Sequence, residues 1–164
     1  MESDLHKKLK ERAVEYLFNK SCWIACPEVE CGAYGRYDVW GIKNDANLMT
    51  YGIECKVSVE DFKNNRHKEA RLDTACQEEG EFDGWIPANL NYILCPEGLI
   101  TPEQVHRRYG LLWFNGERLI NKKTPLFNEM PDRQKVKIIM KLLASRQNKY
   151  PLSNLKPDDS GETN

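Results

Sequence analysis

The residues best suited to chemistry lie between Arg36 and Asp61: Asp38 in one apolar-patterned stretch, Glu54 and Lys56 in the next. Residues 36–42 and 48–57 read as two strands, joined by Lys43-Asn44-Asp45-Ala46-Asn47, whose polar residues suit a hairpin loop. Strand side chains alternate with period two. With the loop centred on Asp45, Asp38 opposes Gly52, and the even-numbered residues of both strands share one face. Asp38, Glu54 and Lys56 then converge, with Asp38 diagonal to Glu54 at roughly 7–8 Å between backbone positions and Gly52 leaving the space between them open. A one-residue slip would turn Asp38 to the other face. Two carboxylates suit Mg²⁺, a hard cation that takes oxygen ligands and shares them with waters and substrate phosphates. A lysine beside such an ion can orient or deprotonate an attacking water, or offset charge developing on a phosphate. The bland alternative for the same charges is an exposed sheet face carrying a cross-strand ion pair.

The elements that must position these groups are legible on either side. Ser3 or Asp4 caps a helix to about Lys20, with Leu5, Leu9, Ala13, Tyr16 and Leu17 as its apolar stripe. Cys22 to Cys31 reads as a strand that Pro27 restricts to an edge. Ser58 and Asp61 have capping-box spacing and open a second helix to about Cys76, whose polar side carries Lys63, Arg66, His67, Lys68 and Arg71. A loop follows from Gln77 to Asn89, in which Trp85 reads as a lid packed on the core or a surface for stacking on a base. Asn91 to Cys95 reads as a short strand, and Thr101 and Gln104 have the spacing to open a further helical turn. Residues 110–115 and 118–122 read as a terminal hairpin. A last helix starts at Pro131, with Val136, Ile139, Met140 and Leu143 as its expected buried face. Residues 1–150 therefore read as one domain, and 151–164 as a disordered tail.

Composition bounds what this domain can be. Its 164 residues can bury a core without disulfide or metal staples. With 40% hydrophobic and 30% charged residues, and no apolar run near the roughly 18 that cross a bilayer, membrane insertion is not expected. The first residues show no export signal, so a cytoplasmic, reducing location is expected. Six cysteines in that setting read as buried free thiols. Cys22, Cys26 and Cys31 are the alternative, a zinc cluster, but they lack the CxxC knuckle and supply only three ligands. The net charge of −1 gives no overall pull toward nucleic acid, yet the last helix is strongly basic, and local basic faces bind phosphate on neutral proteins.

The order helix, strand, strand with Asp38, strand with Glu54-Cys55-Lys56, helix, strand resembles the PD-(D/E)XK nuclease superfamily. More narrowly, DVWGI, GIECKVSVEDF, YILCPEGLI and GLLWF resemble small bacterial MmcB-like DNA repair proteins and their phage relatives. The resemblance runs from about Arg36 to Phe114. It implies an α/β fold with a restriction-endonuclease-like core: a mixed central sheet flanked by helices (αβββαβ), with a C-terminal hairpin and helix. It also implies hydrolysis of DNA phosphodiesters with Mg²⁺ or Mn²⁺. Asp38 and Glu54 would hold the ion with the backbone carbonyl of Cys55, and Lys56 would assist the nucleophile. Arg66, His67 and Lys68 fall where relatives carry a basic pair. Tyr37 stands where the motif's proline would be. Many members add a carboxylate from the first helix, where Glu11 and Glu15 are the candidates and Glu15, which flanks the apolar stripe where Glu11 lies opposite it, is kept; His6, at the edge of the stripe, is one the family does not suggest.

The function expected is a metal-dependent DNA nuclease of repair or phage and bacterial DNA processing. The alternatives are a non-catalytic nucleic-acid-binding module that keeps the nuclease fold, and a zinc-stabilised interaction protein. DNA is the expected partner, with a second copy or a repair or phage protein left open.

Overall fold

A computed structural model describes residues 2–31, 35–64 and 88–149, with side chains to residue 144. Arg66, His67, Lys68, Arg71, Cys76, Trp85 and the 151–164 tail lie outside the described residues. The described elements are α1 (Asp4–Asn19), β1 (Cys22–Glu30), β2 (Arg36–Lys43), β3 (Thr50–Cys55), α2 (Val59–Lys63), β4 (Leu90–Pro96), β5 (Tyr109–Phe114), β6 (Leu119–Lys123) and α3 (Asp132–Lys149). The strands form one mixed sheet in the order β1-β2-β3-β4-β5-β6. β3, β4 and β5 run parallel, and the other neighbours are antiparallel. The protein is thus a mixed α/β fold with helices on both sheet faces, and Pro27 sits on an edge strand as its missing N–H requires.

Alternation along the central strands divides the core in two. Leu9, Ala13 and Leu17 of α1 cover Val39, Ile53, Cys55, Leu94 and Leu112. Trp40, Ile42, Ile93 and Leu111 face the opposite way, toward Phe62 of α2 and Ile138 of α3. Helix starts follow the caps read from sequence: Ser3 accepts the His6 N–H, and Ser58 accepts the Asp61 N–H. The apolar stripe of α3 is corrected. Val136, Met140 and Leu143 are half or more exposed, whereas Ile138 is buried and Ile139 and Leu142 pack beside it. Thr101 and Gln104 pair as expected, Gln104 Oε1 accepting the Thr101 N–H at 2.8 Å, but they close a turn and not a helix.

The β2–β3 register is also corrected. Trp40, not Asp38, opposes Gly52, so the pairing is displaced by two residues and keeps its parity. The space beside Gly52 is filled rather than open, because the Tyr37 ring lies where a Cβ would stand. Tyr37 in turn donates its hydroxyl hydrogen to Asn91 Oδ1 on β4. Gly52→Ala is therefore expected to cost about 1–3 kcal/mol by forcing this ring aside. Chemical denaturation of the purified variant measures it.

Candidate functional site

The site forms where β2 leaves β3. The β2–β3 pairing reaches Val39↔Ile53, and beyond it the Cys55 N–H donates to the Asp38 carboxylate at 2.7 Å. A side chain thus takes the place of the next main-chain partner. β2 is distorted there. Tyr37 and Trp40, three residues apart, pack in the same half of the core, so strict alternation breaks between them. On β1 the pairs Pro27↔Val39 and Val29↔Tyr37 bracket Glu28, which has a left-handed φ of 58°. That conformation is costly for a non-glycine residue. The Glu28 carboxylate meets Lys10 of α1, and Asp38 meets His6 one helical turn earlier.

Convergence of Asp38, Glu54 and Lys56 on one face is thereby corrected. Asp38 turns toward α1, while Glu54, paired with Ile93, alternates to the other side of the sheet. The distortion at Glu28 and Asp38 overrides the period of two. Asp38 still abuts the peptide that joins Glu54 to Cys55.

Glu54 and Lys56 are deeply placed, with side chains 3% and 9% exposed. Lys56 Nζ lies 3.8 Å from Glu54 and 3.7 Å from Asp61. The cap at Ser58 fixes Asp61 in this position, and Asp61 also accepts the Val57 N–H at 3.3 Å. The residues S-x-x-D after the Glu-x-Lys therefore hold the lysine as well as starting α2. Lys63, at the end of α2, is exposed.

A polar ladder spaced by four residues runs from Glu2, just ahead of the Ser3 cap, to His6 and Lys10 of α1. Glu2 Oε1 lies 3.0 Å from His6 Nδ1, and His6 Nε2 lies 3.5 Å from Asp38. Lys10 joins both Glu2 and Glu28, and Glu28 also holds Arg36 at 2.8 Å. Burial by itself would lower the Lys10 pKa, but its two carboxylate partners outweigh burial and raise it, so Lys10 stays charged. Glu15 is elsewhere: its side chain is 59% exposed, pairs with Arg12 and lines a surface hollow shared with Arg118 and Leu119. The helix residue brought to Asp38 is His6. Its i, i+4 spacing to Glu2 and Lys10 is the sequence signal that marks it.

Cys55 is buried beside these groups, and its thiol is pushed well above the ordinary range, first by burial and then by the Asp38 and Glu54 charges. Among the described residues, the potential metal-ligand atoms lying within 4.8 Å of one another belong to His6, Asp38 and Cys55. Cys22, Cys26 and Cys31 form no such group. Cys22 belongs to the α1 side of the core and Cys31 to the other, because the strand carries them to opposite faces. No described helix is long and apolar enough to cross a membrane.

No family model and no curated protein matches the chain. Among solved structures, the SPO1766 protein of unknown function from Silicibacter pomeroyi is similar, with a TM-score of 0.66 and 15% identity. The match covers 97% of this chain and 100% of that one. At that identity the likeness is one of fold.

Proposed function

We propose that the protein is a divalent-metal-dependent DNA nuclease with a restriction-endonuclease-like core. The observation that carries this reading is the strand fork, where the Asp38 carboxylate abuts the Glu54–Cys55 peptide and a buried Lys56 lies beside Glu54. Carboxylates approaching a fork from both sides suit an ion seated in the opening between the strands. The donor types are those a hard cation takes: carboxylate oxygens of Asp38 and Glu54, with the Cys55 carbonyl as a third oxygen. Such an ion, Mg²⁺ or Mn²⁺, would polarise a phosphoryl oxygen and lower the pKa of a water.

The chain's own residues do the rest. The Cys55 N–H fixes one Asp38 oxygen and leaves the other for a ligand. Asp61 and Glu54 hold the Lys56 ammonium from two directions, so it meets a phosphate already oriented. Exposed Lys63, together with the basic stretch beyond it, supplies charge for the DNA backbone. In this reading the protein serves DNA repair or phage and bacterial DNA processing.

The test is incubation of the purified chain with single-stranded, nicked, branched and duplex DNA, with Mg²⁺, with Mn²⁺ and with chelator. Metal-dependent cleavage of at least one substrate, lost in Asp38→Asn, is the expected result. Cleavage in chelator, or salt-sensitive binding with no cleavage under either ion, overturns it.

A further inference from the structure

We infer that His6, Asp38 and Cys55 form a site for a borderline transition dication, Zn²⁺ or Co²⁺, which takes Asp38 away from the hydrolytic ion. The inference depends on the proposed nuclease only through that shared aspartate. An imidazole nitrogen, a carboxylate oxygen and a sulfur are the ligand types that zinc and cobalt combine and that Mg²⁺ does not. The three ligand atoms already lie within 4.8 Å of one another. Bonds of about 2.0–2.3 Å in a tetrahedral site need them roughly 3.3–3.8 Å apart, so closure asks for movements of about an ångström.

The surroundings hold two of the ligands in place. Glu2, 3.0 Å from His6 Nδ1, is placed to accept that nitrogen's hydrogen, so that the Nε2 lone pair is the one a metal beside Asp38 would take, the carboxylate-to-histidine arrangement common behind metal ligands. The Cys55 N–H fixes Asp38 Oδ2. Entry is from the first turn of α1, where the His6 and Asp38 side chains are 24% and 18% exposed, while Cys55 closes the inner end. On binding, the Cys55 S–H bond breaks, a sulfur–metal bond forms and the proton leaves to solvent. Water completes the fourth position.

The test titrates Co²⁺ into the chelator-stripped, reduced full chain. One equivalent is expected to bind with a thiolate-to-cobalt charge-transfer absorption, which Zn²⁺ then displaces. Cys55→Ser should remove that absorption, and His6→Ala, at a partly exposed position, should weaken cobalt binding at least tenfold without unfolding the chain. Glu2→Gln should weaken it by about 10–100-fold. No charge-transfer absorption at one equivalent, or an absorption unchanged in both Cys55→Ser and His6→Ala, overturns the site. The absorption requires no DNA. Its presence without cleavage defeats the nuclease reading alone, and cleavage without it defeats this one alone.

Discussion

Lys56→Ala is expected to lower metal-dependent DNA cleavage by roughly 10²–10⁴-fold while leaving DNA binding within a few-fold of wild type. The lysine lies between two carboxylates, 3.8 Å from Glu54 and 3.7 Å from Asp61, at a position its neighbours bury. Its removal takes away the ammonium 3.8 Å from Glu54, yet leaves the proposed ion ligands Asp38 and Glu54 intact. Metal affinity should therefore hold or rise as the rate falls, because negative charge around the ion is no longer offset. Lys56→Arg keeps the charge but spreads it over a planar group too large for the same space, so recovery should be partial. Thermal melting beside the cleavage assay separates a lost catalytic role from lost stability. An alanine variant that melts normally and cleaves normally removes Lys56 from the mechanism.

Trp40→Ala is expected to be the most damaging core change, at about 3–5 kcal/mol. At 2–4 °C per kcal/mol for a chain of this size, the melting temperature should fall by roughly 6–20 °C. Trp40 is fully buried on β2, opposite Gly52 on one neighbour and Cys26 on the other, and it packs with Ile42, Ile93 and Leu111. Trp23, 70% exposed on the edge strand, is the internal control. Its replacement should stay within about 0.5 kcal/mol, since it fills no core position. Scanning calorimetry of the two variants reads the difference, and equal losses would contradict the core as described.

The contrast between those tryptophans shows what the sequence carried. Strand identity, the edge position of Pro27, the caps at Ser3 and Ser58 and the hairpin between β2 and β3 all follow from local rules, and all appear in the fold. Register followed only in parity, because loop composition does not say how many residues the turn consumes. The face of Asp38 could not follow. It depends on Glu28, on a different strand, adopting a left-handed conformation that lets Lys10 and His6 draw two carboxylates toward α1. The exposed stripe of α3 was unreadable for a related reason. Apolar spacing gives a stripe, but Ile138, and not Val136 or Met140, is the residue the sheet covers. The family resemblance points to Glu15 over His6, whereas the structure brings to Asp38 the residue that Glu2 can orient.

The most direct measurement is anomalous diffraction from a zinc-free crystal soaked in Mn²⁺. One ion in the β2–β3 fork, bonded at about 2.1–2.3 Å to carboxylate oxygens of both Asp38 and Glu54, is the predicted result. An ion that touches Asp38 without Glu54, or no ion in the fork at a concentration supporting cleavage, would contradict the site.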